Sequence, residues 1–310
     1  MNKTKTQKPT NKEIVENLSA LIDENIEKLV ESDEWERYLS FARGQHRYSW
    51  NNTWIIEFEG YLRERNFTYV RGAKQWNSIG RTIIKGEKAI WILAPKIAFK
   101  CVEKNCTYKG KMTYDKVTKK TYCPIDRTHT VEKVMTGFLG VPVFDISQTE
   151  GDDILMVTVA DKCKNASQEV WDAMVKVAES NGYSVEMGYG NGAHGFMNNQ
   201  DKKIVVEKSN SFGFQVKTLA HELAHSILHD KVEPKEYQTN RGRYETEAEG
   251  VAWIVMNALE LNEVAKDNYS FGYIKGWAGD DHKKMVKESL NRIQTTANTI
   301  LDAIDEVELS

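Results

Sequence analysis

The chain has 310 residues and a formal net charge of −3 at pH 7. Hydrophobic residues make up 40% and charged residues 28%, which is typical of a globular protein and not of a disordered or fibrous one. The mean hydropathy is −0.56, and no apolar run approaches the ~18 residues of a membrane span. The N-terminal segment lacks the apolar stretch of a secretory signal, and four cysteines are too few for a disulfide scaffold. We therefore expect a cytoplasmic protein with reduced thiols.

The small net charge is the sum of two opposed halves. Residues 1–150 carry 25 lysines and arginines against 19 acidic residues, a net charge of +6, whereas residues 151–310 carry 17 against 26, a net charge of −9. The window 41–140 alone carries 19 basic and 8 acidic residues, or +11. A nucleic-acid partner is therefore compatible with this chain and would bind its first half.

Hydrophobic periodicity predicts a mixed, α+β chain of two domains. A basic tail at 1–10 is expected to be disordered, a polar insert at 100–130 holds three of the four cysteines, and the domain boundary is placed in the loop 147–152. In chain order the predicted elements are helices at 11–31, 33–42 and 49–60, strands at 89–94 (ended by Pro95) and 141–146, a helix at 167–180, strands at 183–188, 194–197 and 203–207, and helices at 213–229, 243–261 and 282–306.

The strongest motif is His221-Glu222-Leu223-Ala224-His225, an H-E-x-x-H sequence within a helical pattern. Two histidines four residues apart lie on one face of a helix, so both imidazoles reach one metal ion. Glu222 is placed to deprotonate a water that the ion activates. The apolar residues of the same helix argue against unrelated exposed histidines, because a buried imidazole needs a partner or a ligand. The motif predicts a zinc hydrolase centre.

A third zinc ligand must come from elsewhere in the chain. The metzincin pattern fails, since Leu228 stands in place of its glycine and Lys231 in place of its third histidine. A glutamate from the following helix is the alternative. Glu247 lies on the apolar stripe of that helix and is our predicted ligand, because a carboxylate on an apolar stripe needs a cation. Glu249 is the second choice, as a ligand or as a group that orients a histidine.

Other polar residues near the motif receive weaker assignments. Glu245 fits a solvated acidic helix start, and His229 is expected to orient a ligand or to face solvent. Strand 203–207 is a candidate to hold an extended peptide by strand addition. Tyr273 and His282 are available to stabilise an oxyanion, although Tyr273 fits core packing better.

Residues 46–96 interleave aromatic side chains with cations, the combination that non-specific single-strand binders use. Cations follow the phosphates of the strand, and aromatic faces stack on its bases. An ordinary core of Trp50, Trp54 and Trp91 with surface lysines and arginines explains the same composition equally well.

The insert contains a second set of metal-binding residues. Cys101 and Cys106 are followed by Cys123, with Asp126 or His129 available as a fourth ligand. The two pairs resemble a degenerate zinc ribbon and predict a second, structural zinc, and the alternative is a hairpin with surface thiols. Cys163 is separate in sequence and is expected to be inert.

Several segments resemble known families. Tyr48-Ser-Trp-Asn-Asn-Thr-Trp54, the segments Val70–Trp76 and Gly80–Pro95, and Val143–Gly151 resemble the N-terminal domain of ArdC-type antirestriction proteins of mobile elements and phages. Glu247-Ala-Glu-Gly-Val-Ala252 resembles the ImmA/IrrE-like metallopeptidases and agrees with Glu247 as a ligand.

The resemblance implies a single-stranded-DNA-binding domain over 11–150 joined to a zincin-like, gluzincin-type metallopeptidase domain over 151–310. It implies an antirestriction protein with a zinc-dependent metalloendopeptidase, a single-stranded DNA partner and a protein substrate. The alternatives are a non-catalytic protein that shields DNA or occludes a restriction enzyme, and a repressor-cleaving peptidase. The residues predicted to contact DNA are Tyr48, Trp50, Asn51, Arg71, Trp76, Arg81, Lys85 and Lys88.

Overall fold

The computed structural model describes residues 9–26, 32–45, 48–153, 168–189, 192–261 and 282–307. Its helices are α1 (Asn11–Asn25), α2 (Ser32–Ala42), α3 (Trp50–Leu62), α4 (Ala73–Ser78), α5 (Gln168–Ser180), α6 (Phe212–Leu228), α7 (Pro234–Ala258) and α8 (His282–Val307). Its strands are β1 (Val70–Arg71), β2 (Arg81–Ile83), β3 (Ile90–Cys101), β4 (Thr113–Tyr114), β5 (Thr121–Tyr122), β6 (Val131–Asp145), β7 (Thr149–Gly151), β8 (Ser184–Gly188), β9 (Gly195–Asn198) and β10 (Lys203–Glu207).

The predicted α+β class is confirmed, and most element boundaries agree within a few residues. The largest difference among the helices is α7, which begins at Pro234 and not at 243. Residues 1–8 of the predicted tail and residues 27–31 of the first predicted helix lie outside the described residues, as does Cys163. None of the described helices is long and apolar enough to cross a membrane.

The chain packs as two compact units, Met1–Ala20 with Trp91–Pro142, and Leu21–Ile90 with Val143–Ser310. These units follow spatial packing, whereas the boundary predicted at 147–152 divides the chain by sequence. That boundary stays a prediction.

The first unit contains a long two-stranded ribbon made by β3 and β6, which are neighbours in one sheet. We define the tip of this ribbon as residues 101–130, which include the small sheet of β4 and β5. The prediction that Pro95 ends a strand is wrong, because β3 continues to Cys101. β3 is the outer strand of its sheet, where a residue without an N–H group is tolerated.

The second unit contains a three-stranded sheet in the order β8-β10-β9. β10 runs parallel to β8 and antiparallel to β9, with Ile204 opposite Val185 and Met197. β10 is the central strand, which explains why Ile204, Val205 and Val206 are all buried. Helices α5, α6, α7 and α8 bury their apolar faces in the same unit; α5 does so through Val170, Met174 and Val177, among others.

Candidate metal centre and catalytic site

Helix α6 carries the H-E-x-x-H motif on a firmly packed segment. Its apolar side chains Val216, Leu219 and Leu223 are fully buried, which fixes the rotation of the helix about its axis. The helix ends at His229, whose backbone N–H donates to the His225 carbonyl at 2.8 Å. The two motif histidines therefore project from a rigid element.

The two histidines meet one carboxylate from α7. The Nε2 atoms of His221 and His225 lie 3.0 Å apart, and Glu245 Oε2 lies 3.4 Å from the first and 3.6 Å from the second. Donor atoms about 2.0–2.2 Å from one tetrahedral ion are roughly 3.3–3.6 Å apart, so the two carboxylate–histidine distances fit a divalent metal ion and the two histidines are slightly closer than this. Glu245 comes from the part of α7 that follows a kink at Asn240.

Tyr237 holds the Glu245 carboxylate from the other side of that kink. Its hydroxyl donates to Glu245 Oε1 at 2.9 Å, and its ring lies 6.1 Å from the His225 ring. Tyr237 is not among the residues predicted from the sequence. Its spacing from Glu245 is helical, but nothing in the sequence distinguishes it from the other tyrosines of the chain.

Glu247 does not reach the histidine pair. Its carboxylate is fully buried and contacts His229 Nε2 at 3.0 Å, Arg243 Nε at 2.9 Å and Arg292 Nε at 3.1 Å. Ser289 Oγ also donates to it, at 2.5 Å. The position of Glu247 on an apolar stripe predicts a cation beside it, and in the structure Arg243 and Arg292 provide the positive charge. The geometry brings Glu245, and not Glu247, to His221 and His225.

Glu249 lies on the far side of His221. Its Oε1 atom is 3.6 Å from His221 Nδ1, the ring nitrogen that does not face His225. Its Oε2 atom is buried with no hydrogen-bond partner in the described part of the chain. Glu249 therefore lies on the side of His221 where an orienting group would sit, at a distance longer than a hydrogen bond, and that role stays a prediction.

His229 links His225 to Glu247. Its Nδ1 atom is 2.9 Å from His225 Nδ1, and its Nε2 atom is 3.0 Å from Glu247 Oε2. Burial lowers the pKa of His225 to about 4 and also lowers the pKa of His229. Both imidazoles are thus held in the neutral form that a metal ligand requires.

The pKa values of Glu222 and His221 are both raised, unlike those of His225 and His229. Burial raises the pKa of Glu222 to about 7, with the nearby Glu245 carboxylate adding to the effect. Burial alone would lower the pKa of His221, but the carboxylates of Glu245 and Glu249 outweigh it and raise that pKa to about 10. A carboxyl with a pKa near 7 can both accept and return a proton at neutral pH.

A cavity of about 320 Å³ opens beside Glu222, lined by His194, Gly195, Phe214, Lys217, Thr218, His221 and Glu222. Strand β9 forms one wall, and a Cβ added at Gly195 would lie 2.5 Å from Thr218 Cγ2 and 2.9 Å from Val205 O. Only glycine allows the strand to approach α6 this closely. His194 lies at the cavity, which the sequence analysis did not foresee.

The strand predicted to hold a peptide is not the one with a free edge. Strand 203–207 is β10, which is paired on both sides by β8 and β9. Among the described strands β9 pairs with β10 alone and lines the cavity, so of the two edge strands of this sheet it is the one beside the site. Tyr273 lies outside the described residues, and of His282 only the backbone is described.

The residues predicted to contact DNA are placed unevenly. Trp50 and Trp76 are core residues, and the Trp76 indole donates to the Phe144 carbonyl, so neither ring is open to a base. Arg81 donates to Thr149 and to the Asp152 carbonyl. The remaining five are Tyr48, Asn51 and Arg71, which are half-buried, and Lys85 and Lys88, which are exposed.

The exposed aromatic residues that a single-strand binder needs lie on the ribbon. Its strands expose Trp91, Phe99, Phe138 and the cations Lys96, Lys100 and Lys133. All eight predicted contacts lie between residues 48 and 88, and the run 89–94 is predicted as a buried strand that Pro95 ends. No residue between 95 and 101 or between 131 and 139 is buried.

The cysteines of the insert also converge. Cys101, Cys106, Cys123 and His129 place their ligand atoms within 4.8 Å of one another. Of the two predicted fourth ligands the structure brings in His129. Asp126 lies outside this group, with its Oδ2 atom 3.9 Å from His129 Nε2, the ring nitrogen that does not face Cys101.

Comparison with known proteins assigns both halves of the chain. The family model for the N-terminal domain of anti-restriction factor ArdC matches residues 11–138, and the M78 peptidase model, described as the IrrE N-terminal-like domain, matches residues 185–274. The chain has the ArdC-type architecture. Its C-terminal domain is thus metallopeptidase-like, and the architecture supports an antirestriction function in general.

Two solved structures resemble the ArdC-type chain. They are crystal structures of the antirestriction ArdC protein from plasmid R388, one metal-free and one Mn(II)-bound. The metal-free structure is 17% identical over 84% of each chain with a TM-score of 0.43, and the Mn(II)-bound structure is 16% identical over 83% of each chain with a TM-score of 0.44. No curated protein matches the chain.

Proposed function

We propose that this ArdC-type chain binds single-stranded DNA and hydrolyses peptide bonds with a metal-dependent centre, as a cytoplasmic antirestriction protein of a mobile element or phage. One observation carries the enzymatic part of the proposal. His221, His225 and Glu245 present three converging donors beside Glu222, at a cavity walled by the edge strand β9.

His221, His225 and Glu245 would hold the ion, and zinc is the ion we propose because imidazole and carboxylate donors at these separations suit its tetrahedral geometry. Once bound there, such an ion would act as a Lewis acid toward a substrate carbonyl and would lower the pKa of a bound water to about 7. Because the R388 ArdC protein has a Mn(II)-bound structure, metal analysis must include manganese.

The surrounding residues hold the donors in place. With Nε2 of His225 facing the ion, its Nδ1–H donates to His229, and His229 donates in turn to Glu247. The Tyr237 hydroxyl donates a hydrogen bond to Glu245 and holds its carboxylate in place. The histidine ligand is thus anchored through two hydrogen bonds to a buried carboxylate that two arginines neutralise.

Glu222 acts as the general base and acid of the reaction. Its buried carboxyl accepts a proton from the attacking water and passes it to the leaving amine, which its pKa of about 7 permits. The outer edge of β9 offers N–H and C=O groups to an extended peptide. His194 lies at the same cavity and is the side chain we propose for contact with the oxyanion.

The ribbon is the surface we propose for single-stranded DNA. Between residues 91 and 142 the chain carries ten lysines and arginines against four acidic residues. Aromatic faces that stack on bases contribute about 1–3 kcal/mol per base, and the lysines follow the phosphates. Anisotropy with a labelled oligo-dT strand should show affinity that falls as salt rises. We expect Phe99→Ala to weaken binding and Tyr189→Ala, a more exposed aromatic outside the ribbon, to leave it unchanged.

The peptidase is tested with Glu222→Gln, which keeps the size of the side chain and removes the base. Cleavage of a quenched fluorescent peptide library should fall by about 10²–10⁴-fold, while metal content and DNA affinity stay at wild-type levels. Glu179→Gln, at an exposed position on α5, is the matched control. Wild-type cleavage by Glu222→Gln would refute the assignment of the base. If Glu222→Gln still protects incoming DNA from restriction, the DNA-shielding alternative replaces proteolysis as the biological role.

A further inference from the structure

The tip of the ribbon gathers four metal-binding side chains from two turns. Cys101 ends β3 and Cys106 follows in a turn in which its N–H donates to the Glu103 carbonyl. Cys123 follows β5, and His129 lies in a second turn, where its N–H donates to the Asp126 carbonyl. The two turns face each other, so residues 28 positions apart in sequence become neighbours.

The spacing of the four ligand atoms fits one tetrahedral zinc ion. Cys106 Sγ and Cys123 Sγ are 3.6 Å apart, and Cys101 Sγ and His129 Nδ1 are also 3.6 Å apart. Ligands at about 2.3 Å for sulfur and about 2.0 Å for nitrogen give roughly 3.5–3.8 Å between donor atoms. A disulfide needs about 2.05 Å between sulfurs, and all three cysteines are free thiols.

The tip lacks the apolar core that would hold it folded without an ion. Of residues 101–130, Met112 and Cys123 are the two that are buried, and Val117 and Ile125 are exposed. Its internal sheet is two residue pairs long, between β4 and β5. A segment of this size and burial is not stable by hydrophobic packing alone, and small domains of this kind use a metal or disulfides instead.

Two features of the tip suit three thiolates and an imidazole. Asp126 Oδ2 is 3.9 Å from His129 Nε2, the nitrogen opposite the one that faces Cys101, and the carboxylate is itself fixed by the N–H and hydroxyl of Thr128. The distance is longer than a hydrogen bond, but it places a carboxylate beside the ring nitrogen through which metal-binding histidines are oriented. In addition, residues 101–130 carry seven lysines and arginines against three acidic residues, which favours the excess negative charge of a three-thiolate site.

We propose that Cys101, Cys106, Cys123 and His129 bind one structural Zn²⁺ that holds the tip folded, with Asp126 positioning His129. This site is independent of the centre at His221 and His225. It shares no residue with that centre and holds whether or not the chain is a peptidase.

The test is the metal content of the purified full-length protein and of two single-site variants. We expect two zinc ions per chain in the wild type, one in Cys123→Ser, one in His221→Ala, and none in the double variant. Cobalt substitution distinguishes the sites, because only the tip gives intense thiolate-to-Co²⁺ absorption. Cys163→Ser, which removes the cysteine outside this cluster, should keep both ions and the absorption. If the wild type holds one ion and Cys123→Ser none, the tip site stands and the proposed catalytic centre fails.

Asp126→Asn keeps the proposal testable if Cys123→Ser does not fold. We expect it to lower zinc affinity at the tip by about 10–100-fold in competition with a chromophoric chelator, with the other site unchanged. The proposal is overturned if Cys123→Ser has the same metal content and cobalt spectrum as the wild type. It is also overturned if Asp126→Asn binds zinc at the tip as tightly as the wild type.

Discussion

The two ligand clusters of this chain differ in what surrounds them. His221, His225 and Glu245 project from helices whose apolar faces are fully buried, and hydrogen bonds to Tyr237 and His229 fix the ligands. The cysteine cluster lies in a segment with two buried residues and little regular structure. The side chains of the first are held in place by the fold, whereas we expect the second to need an ion in order to form. A ligand cluster can therefore either form because the chain folds or, once an ion is bound, stabilise the folded segment that contains it.

The largest expected difference between the clusters follows metal removal. A chelator should abolish the amide-exchange protection of residues 101–130, because zinc binding supplies about 10–16 kcal/mol in small zinc-dependent modules. Protection in α6 and α7 should change little. Exchange measured by mass spectrometry, with and without chelator, gives both results in one experiment. Equal loss of protection in both regions would contradict the comparison.

Glu247→Gln tests whether the helical cluster is held by the protein's own charges. It leaves Arg243 and Arg292 without their buried carboxylate, so we expect the free energy of unfolding in urea to fall by about 3–5 kcal/mol.

Glu245→Gln is the matched control, since Glu245 is 38% exposed. It should change stability by less than about 1 kcal/mol and weaken metal binding instead. The reverse result, with metal lost in Glu247→Gln and stability lost in Glu245→Gln, would restore Glu247 as the ligand.

Gly195→Ala probes the contact between β9 and α6. The new methyl group would clash with Thr218 Cγ2 and Val205 O, so stability should fall by about 1–3 kcal/mol. Displacement of the edge strand should also raise KM for peptides more than it lowers metal affinity. Gly182→Ala, which meets no atom within 4 Å but has a φ of +82°, separates backbone strain from this steric effect.

Tyr237→Phe should give the smallest effect. It removes one hydrogen bond to Glu245 Oε1 and keeps the packing of the ring against His225. We expect about a tenfold loss of metal affinity at this centre, with zinc at the ribbon tip unchanged. An equal loss at both sites would show that the effect is a general loss of structure.

Much of this fold is predictable because apolar spacing records which face of a helix is buried. That signal correctly located α5, α6 and α8 and identified the motif on α6. It failed for the outer part of the ribbon, residues 95–101 and 131–139, since strand segments without a buried face have no hydrophobic pattern to detect. For the third ligand it pointed to Glu247, whereas the structure brings Glu245 to the histidine pair. Spacing shows that Glu247 is buried but cannot show that Arg292, 45 residues later, neutralises it.

The length of β9 would set a limit on the protein substrates of the proposed peptidase. The strand has four residues, so a peptide added to its outer edge pairs over about 13 Å. A folded substrate seldom presents a free extended segment of that length, and local unfolding must first release one. The rate of cleavage should therefore depend on the local stability of the substrate, with mobile loops and termini cut first and well-packed domains left intact.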